Sequence, residues 1–351
     1  MKTTSNEPAA PQSPLGPPAS DATGRRSAAK ERLGQALGKV SSTIEGIPKA
    51  FESIPTTIAQ HLPGVQPRLG VALSGGSVRG FAHAGVFKFL AERGVTPSIV
   101  SGTSAGALFG ALWADGYSPE RALALFSGRS FTHFTRAQIP IRGLLSTEPL
   151  RHFLRTHLRA ERFEELVHPF CAVATDLDSG TYRVFETGPL ADAVRASCSL
   201  PIVFNPVQID GHAYVDGGVT MNLPASVIRP RCDFVLGVNL IPDESGLPYA
   251  GRHLIDVATR TYRLMFYANS VSEQAYCDAL IESPEFSAFS PFDMSAAECF
   301  CDIGYYLAVK LYRQDKRFAK IIDALAGKSP LPPYPARQGQ PAVASLLSKR
   351  F

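Results

Sequence analysis

Apolar residues in the middle of the chain fall into short runs, each followed by glycines and then by a longer stretch of helical composition. The run at 69–74 precedes a helical stretch at 80–93, and the run at 98–101 precedes an apolar helix from 104 to about 114. Strand, glycine turn and helix in immediate repetition predict an α/β fold with a mainly parallel sheet. Further strands are predicted at 170–175, 182–185 and 234–240.

A different pattern occupies residues 33–58, where apolar residues recur at alternating steps of four and three. This spacing predicts a helical apolar stripe, although glycines and prolines interrupt it. The segment is a broken amphipathic helix that lies on a membrane, an arm packed on the domain, or a disordered leader. The stripe consists of Leu33, Leu37, Val40, Ile44, Ile47, Phe51, Ile54 and Ile58.

Composition and charge divide the chain into three parts. We expect a disordered or amphipathic leader at 1–66, a folded domain at 67–325 and a basic, proline-rich tail at 326–351. The formal net charge of +4 is small, which argues against a dedicated nucleic-acid-binding protein. Positive charge is concentrated at the two ends of the chain. Basic ends on an acidic body suit an anionic surface such as phospholipid, or they are simply solvated.

The chain has no run of 18 or more apolar residues, so we expect no transmembrane helix. Its N-terminus is polar and proline-rich, without the apolar segment of a standard secretory signal. The six cysteines are scattered and have no zinc-site or thioredoxin spacing, so we expect reduced thiols and no metal. These features predict a cytoplasmic protein, either unattached or peripheral at the inner membrane surface.

The first of three motifs with candidate chemistry is Gly102-Thr103-Ser104-Ala105-Gly106, which lies between a predicted strand and a predicted helix. Small neighbours allow a nucleophilic serine to occupy a sharp strand-to-helix turn. The N-terminus of the helix also favours negative charge that develops there. The alternative is a serine that only caps the helix in a tight turn.

The second motif is Ser74-Gly75-Gly76-Ser77-Val78-Arg79-Gly80. Glycines ahead of a helix allow successive backbone N–H groups to point into one space, which makes an anion cradle. In an acyl-transfer enzyme the cradle is an oxyanion hole. Otherwise it binds a phosphate or nucleotide, or is only a turn. The spacing matches neither the Walker A loop nor G-x-G-x-x-G.

The third motif is Asp216-Gly217-Gly218, at the end of a predicted β run. A carboxylate with little steric cover can accept a serine proton directly when it lies within hydrogen-bond reach. An ordinary Asp-Gly turn is the alternative. None of the eight histidines has a recognisable catalytic context, although His253 has the chain order of a Ser…Asp…His triad.

In this order, the three motifs resemble those of bacterial patatin-like phospholipases, in the branch related to the catalytic domain of neuropathy target esterase. The resemblance runs from about Arg68 to Leu311, and the glycine loop is similar to the family's G-G-G-x-R-G, with Ser77 at the third glycine. Further similar blocks are Ala174-Thr175-Asp176-Leu177, Ala196-Ser197-Cys198-Ser199-Leu200-Pro201 and Ile303-Gly304-Tyr305.

The resemblance implies a three-layer α/β/α fold with a mainly parallel central sheet and a nucleophile elbow between a strand and a buried helix. It implies that Ser104 is the nucleophile and Asp216 the proton acceptor of a dyad that forms an acyl-enzyme. The implied oxyanion donors are the backbone N–H groups of Gly75, Gly76 and Ser77. The residues implied to support the loop and elbow are Arg79, Gly80, Gly102, Gly106, Gly217 and Gly218.

The implied activity is hydrolysis of fatty-acyl esters in phospholipids or lysophospholipids, with no cofactor, no metal and no nucleic acid. Transient contact with a membrane surface follows from such a substrate. We expect Arg79 to pair with a carboxylate near the loop. Two alternatives stay open: a general carboxylesterase of the α/β-hydrolase type with a triad through His253, and a non-catalytic module that binds a membrane or a partner.

Overall fold

The computed structural model of the protein describes residues 67–137, 143–243, 251, 253–287 and 293–326. The predicted leader with its apolar stripe, and all of the predicted tail after Ala326, lie outside the described residues. What we expect of these two segments, and of the three-part division of the chain, therefore stays a prediction.

The described strands form one large sheet and one small one. They are β1 (Leu69–Leu73), β2 (Ile99–Thr103), β3 (Arg136–Ala137), β4 (Leu145–Ser146), β5 (Phe170–Asp176), β6 (Thr181–Phe185), β7 (Val207–Ile209), β8 (His212–Asp216), β9 (Phe234–Val238) and β10 (Ala279–Ile281). The described helices are α1 (Phe81–Glu92), α2 (Ala105–Ala114), α3 (Pro119–Ala124), α4 (Glu148–His157), α5 (Leu190–Ser197), α6 (Ala225–Ile228), α7 (Leu254–Gln274), α8 (Ala297–Gln314) and α9 (Lys316–Leu325).

The large sheet has the order β10-β9-β1-β2-β5-β8-β7, with β6 also paired to β5. Strands β10, β9, β1, β2 and β5 run parallel, whereas β6 and β8 are antiparallel to β5. Every residue of β1, β2, β5 and β9 is buried, which explains why these strands are continuous apolar runs in the sequence. The prediction of an α/β fold with a mainly parallel sheet is confirmed.

Helices cover both faces of the sheet. In β1, the side chains of Leu69, Val71 and Leu73 enter the large core that also contains residues of α1, α2 and α8. The side chain of Ala72 enters a smaller core with Ala225 and other residues of α6. Because neighbouring strand residues point to opposite faces, these two cores define a three-layer α/β/α arrangement.

Helices α1 and α8 cross with their backbones in direct contact. A Cβ atom at Gly85 would overlap the backbone of Cys301, and one at Gly304 would overlap the backbone of Ala82. Two glycines that face each other across the crossing therefore set the distance between the helices. This packing explains the Ile303-Gly304-Tyr305 block noted in the sequence.

Most predicted elements around the motifs are present with nearly the predicted bounds. Strands β1, β2, β5, β6 and β9 confirm the predicted runs to within two residues, and α1 and α2 follow their glycines as expected. The three-residue strands β7 and β10 lie outside the predicted runs, because so few residues cannot show a periodic pattern. Within the described ranges, no helix is long and apolar enough to span a bilayer.

Candidate active site

Ser104 occupies the turn between β2 and α2. Its φ of 54° and ψ of −119° are rare for a residue with a side chain. The neighbouring glycines make this turn possible: a Cβ atom at Gly102 would overlap the carbonyl of Gly106, and one at Gly106 would overlap the carbonyl of Leu73. The motif therefore forms a tight strand-to-helix turn, with the strain placed on its serine.

Two residues of the Ala196–Pro201 block hold this turn in place. The backbone N–H of Ser104 donates to the hydroxyl of Ser197 at 2.8 Å, and that hydroxyl donates to the carbonyl of Val173 in β5 at 2.6 Å. The thiol of Cys198 donates to the carbonyl of Ser104 at 3.2 Å. We predicted no role for Ser197 from the sequence. The similarity of its block to one of the family's marks the segment, but it does not indicate what the serine does.

Asp216 is the last residue of β8 and is only 2% exposed. Its carboxylate accepts a hydrogen bond from the backbone N–H of Gly218 at 2.9 Å, and it lines the same cavity as Ser104. Burial raises the pKa of Asp216 to about 7, against the lowering effects of the Ser104 side chain and of the Gly218 N–H group. A carboxylate with this pKa can both accept and return a proton near neutral pH.

Strand β5 brings the serine and the carboxylate together. It lies between β2 and β8, with Val173 opposite Thr103 and Ala174 opposite Asp216. Thr103, which precedes Ser104, and Asp216 therefore pair with adjacent residues of β5 from its two sides. Close approach also requires Gly217, because a Cβ atom there would overlap the carbonyl of Val173.

The glycine loop lies beside this pair but does not present all three predicted donors. Gly76 and Ser77 line the cavity that contains Ser104, whereas Gly75 does not. The backbone N–H of Gly75 instead donates to the carbonyl of Asn222 at 3.2 Å. The expectation that Gly75 is an oxyanion donor is therefore corrected, because its N–H group already has a backbone acceptor.

The remaining small residues of the loop and elbow leave room for close contacts. Ser77 has a φ of 54°, in the left-handed region of backbone conformation. Glycine, the residue of the family motif at this position, adopts that region more readily than serine. A Cβ atom at Gly80 would lie 2.6 Å from the Cβ of Ala105, so the loop packs directly on the start of α2. A Cβ atom at Gly218 would lie 2.8 Å from the ring of Phe266.

Arg79 is 1% exposed, and the expectation that it pairs with a carboxylate is wrong. Its Nη1 donates to the carbonyl of Leu240 at 3.4 Å, and its Nε and Nη2 have no hydrogen-bond partner among the described residues. Burial, with a contribution from the positive charge of Arg263, lowers the pKa of Arg79 to about 9. The guanidinium thus keeps its charge at neutral pH but has few groups to stabilise it.

Ser104 and Asp216 share one cavity of about 190 Å³. Its walls are mostly aliphatic and aromatic. The polar groups belong to the dyad, to the glycine loop and to a few other side chains, some of which are on α7. Such a cavity suits a substrate with an apolar chain. Residues in or packed against the large core that line the cavity include Phe81, Leu108, Phe109, Phe126, Leu150 and Phe134.

No histidine among the described residues lines this cavity. His253 is exposed at the start of α7. His83 is buried; its Nε2 donates to the carbonyl of Ser74 at 2.9 Å, and burial lowers its pKa to about 4, so it is neutral. The geometry of the described residues thus gives a triad through His253 no support.

One group of described residues has metal-ligand spacing. Ligand atoms of Asp176, Asp178 and His212 lie within 4.8 Å of one another. The carboxylate of Asp176 already accepts the backbone N–H groups of Asp178 and Ser179, and that of Asp178 accepts the N–H of Ala213. These hydrogen bonds close two turns, and this role explains why the three side chains lie together. None of the three residues lines the cavity.

Comparisons with known proteins agree with this geometry. A model of the family described as patatin-like phospholipase matches residues 71–228, a range that includes all three motifs. An uncharacterized NTE family protein of Mycobacterium tuberculosis is 35% identical over 183 residues, which cover 51% of each chain. Patatin-like phospholipase domain-containing protein 7 of Mus musculus is 28% identical over 271 residues, covering 68% of this chain and 20% of that protein.

The chain spans about half the length of its mycobacterial relatives. Among solved structures, VipD from Legionella pneumophila is 15% identical, with a TM-score of 0.42 over 74% of this chain and 67% of that chain.

Proposed function

This chain belongs to the patatin-like phospholipase family, whose members are lipid acyl hydrolases, and from that premise we propose a specific reaction. The protein hydrolyses fatty-acyl esters of phospholipids or lysophospholipids through Ser104 and Asp216. The observation that carries the proposal is the placement of Ser104 and the buried carboxylate of Asp216, whose pKa the serine side chain acts to lower, in one apolar cavity.

The first step forms the acyl-enzyme precursor. Asp216 accepts the hydroxyl proton of Ser104 while Oγ attacks the ester carbonyl carbon, and the carbonyl electron pair moves onto its oxygen. The raised pKa of Asp216 makes its carboxylate a stronger base than an exposed aspartate. The carboxylate also accepts the N–H of Gly218, which holds it in place as the proton moves.

The resulting oxyanion needs hydrogen-bond donors. The N–H groups of Gly76 and Ser77 are the candidates on the cavity wall, and the N-terminus of α2 adds a favourable dipole. The loss of one oxyanion donor typically costs about 3–4 kcal/mol of transition-state stabilisation. Backbone donors explain why a serine can replace the third glycine of the loop.

The second half of the reaction restores the enzyme. When the tetrahedral intermediate collapses, Asp216 gives its proton to the leaving alcohol, and the fatty acyl group stays on Ser104. Asp216 then takes a proton from water, the water oxygen attacks the acyl carbon, and collapse releases the fatty acid. Ser104 regains its proton from Asp216 in that last step, so no group is consumed.

The substrate class rests on the cavity and on the ends of the chain. The apolar walls suit an acyl chain, and a lipid substrate requires at least transient contact with a membrane surface or a micelle. The apolar stripe at 33–58 and the basic tail are the segments we propose for that contact. Within this proposal the protein is peripheral to the inner membrane surface.

Hydrolysis of p-nitrophenyl butyrate and of a lysophospholipid tests the proposed dyad. We expect Ser104→Ala and Asp216→Asn to lose both activities by at least about a thousandfold, because each removes a group that takes part in bond making. Ser127→Ala, at an exposed serine outside the cavity, is the matched control and retains both activities. Circular dichroism checks that all variants fold.

Each contrary result points to a different alternative. Full activity in Asp216→Asn would mean that another base accepts the proton, and His253→Ala would then be tested. A folded wild-type protein that hydrolyses neither ester, with or without lipid vesicles, would contradict the proposal and favour a non-catalytic module.

A further inference from the structure

Three segments of the chain, 131–137, 143–147 and 200–204, form one rim of the cavity. Strand β3 lies in the first segment and β4 in the second, and these two strands pair with each other. The third segment runs beside the second, because a Cβ atom at Gly143 would overlap the backbone of Phe204. Each segment contributes side chains to the cavity wall. Side chains of the rim that point to solvent therefore lie close to the cavity.

Two aliphatic side chains of the rim are exposed next to each other. Leu144 is 55% exposed and Ile202 is 72% exposed. The backbone N–H of Leu144 donates to the carbonyl of Ile202 at 3.1 Å, so the two residues are neighbours although they are distant in the sequence. Single exposed apolar side chains are common on protein surfaces. Two that adjoin each other on this rim extend the apolar lining of the cavity to the outer surface.

The backbone at Ile202 is strained. Its φ is 67°, in the left-handed region, where a β-branched residue is an outlier. Glycine and asparagine adopt this conformation more readily, and an isoleucine side chain that is mostly exposed gains little packing in return. A side chain that costs the fold stability and stays in water points to a contact outside the chain.

The charge around the rim is positive. Residues 127–147 contain three arginines and no acidic residue, and the segment 200–204 is uncharged. Among these arginines, Arg136 on β3 is exposed. An exposed aliphatic pair with arginines in the same stretch, and no carboxylate there, matches a lipid surface with anionic headgroups.

We propose that Leu144 and Ile202 insert into the surface of a lipid bilayer and hold the rim against it, with Arg136 beside anionic headgroups. The proposal rests on the hydrolase function proposed above, and it adds a contact at the cavity itself to those proposed for the ends of the chain. Insertion removes the two side chains from water, and this gain offsets the strain at Ile202. A lipid of the docked bilayer then reaches the apolar cavity without passing through water.

Vesicle binding by an inactive protein tests the docking without turnover. Full-length Ser104→Ala protein is sedimented with vesicles of phosphatidylcholine and phosphatidylglycerol. We expect the added change Ile202→Asn, and separately Leu144→Asn, to weaken binding by about tenfold each, because an aliphatic side chain no longer leaves water. Ile202→Asn also keeps or raises the thermal unfolding temperature, since asparagine tolerates the left-handed conformation. Weaker binding by this variant is then not a result of unfolding.

Val167→Asn is the matched control. Val167 is 61% exposed and precedes β5, whereas Ser104 follows β2, which runs parallel to β5. The control therefore lies at the opposite edge of the sheet, and we expect it to leave vesicle binding as it was. Equal weakening by Val167→Asn, or no weakening by the two rim changes, would overturn the proposal. Failure of the Ser104→Ala protein to bind any vesicle would overturn it and favour a protein partner for the rim.

Fluorescence quenching locates the contact. Trp113 is the only tryptophan of the chain, so Leu144→Trp and Val167→Trp proteins differ in where a second indole lies. We expect vesicles with brominated acyl chains to quench the emission of Leu144→Trp more strongly, by about twofold or more. Equal quenching of two proteins that bind the vesicles would mean that another segment makes the contact, and it would overturn the proposal.

Arg136→Gln tests the role of charge. We expect this change to weaken binding to vesicles with phosphatidylglycerol by about fivefold, which is the effect of one arginine near an anionic surface. Binding to vesicles of phosphatidylcholine alone stays as it was. Equal weakening with both kinds of vesicle would overturn the assignment of Arg136 to anionic headgroups.

A last measurement separates the docking from the proposed hydrolase. With Ser104 present, Ile202→Asn lowers the ratio of kcat/KM for phospholipid in vesicles to that for p-nitrophenyl butyrate by about tenfold. An unchanged ratio in an active enzyme overturns the docking alone. Vesicle binding that depends on Leu144 and Ile202, in a protein that hydrolyses no ester, supports the docking and contradicts the hydrolase.

Discussion

At the scale of single residues, two serines carry unusual backbone conformations. Ser77 and Ser104 both have a φ of 54°, where a residue with a side chain is less stable than glycine. Ser104 is placed there by the elbow, and its hydroxyl is needed for the proposed chemistry. At Ser77 only the backbone N–H is needed, so the side chain should be dispensable.

We expect Ser77→Gly to keep ester hydrolysis within about threefold of wild type and to leave stability within about 1 kcal/mol. Glycine removes the strain of the left-handed conformation but increases the freedom of the unfolded chain, and these effects oppose each other. Steady-state kinetics and denaturant unfolding check the prediction. Ser77→Ala is the control, since it removes the hydroxyl and keeps the strain.

A large loss of activity in both Ser77 variants would show that the hydroxyl itself has a role. A loss in Ser77→Gly alone would show that the rigidity of the loop is what matters.

At the scale of elements, the contact between α1 and α8 supports the glycine loop. Helix α1 follows the loop directly, after the short turn Ser77–Gly80, so any shift of the helix moves the loop. Gly85 and Gly304 allow the two backbones to touch. Close-packed interiors transmit strain of this kind over several residues.

We therefore expect Gly304→Ala to destabilise the protein by about 2–4 kcal/mol, because the new methyl group overlaps the backbone of Ala82 rather than a side chain that can move. Urea unfolding followed by circular dichroism measures the loss. Lys310→Ala, at an exposed position of the same helix, should change stability by less than about 0.5 kcal/mol. Wild-type stability in Gly304→Ala would mean that the helices are farther apart than described.

At the scale of the whole molecule, the buried carboxylate links stability to pH. Asp216 has an ordinary pKa of 3.8 when exposed and about 7 in the fold, because burial disfavours its charged form. The unfolded chain therefore binds fewer protons than the fold between these values. Stability from this group is complete below pH 4 and is lost as pH rises through about 7.

Asp216→Asn removes this dependence. We expect the variant to be more stable than wild type at pH 8, by up to about 4 kcal/mol, and close to wild type at pH 4. Thermal unfolding at the two pH values measures the difference. A difference that is the same at both pH values would contradict the assigned cause. In activity, kcat/KM of the wild type should rise with pH through about 7 as the carboxylate ionises.

The sequence alone determined the α/β class, the central strands and the position of each motif. These features are local: an apolar run followed by glycines specifies a buried strand and a turn without knowledge of any distant residue. Resemblance of the motifs added the family, which the comparisons confirm, and the roles of Ser104 and Asp216, which stay predictions.

The tertiary structure decided which groups meet. Arg79 was expected beside a carboxylate but lies near Leu240 and Arg263, and the N–H of Gly75 is bonded to Asn222. Ser197 gained a role because its hydroxyl joins the elbow to β5. All of these partners are distant in the chain, and hydrophobic periodicity carries no information about polar contacts between distant elements, so only their packing could bring them into view.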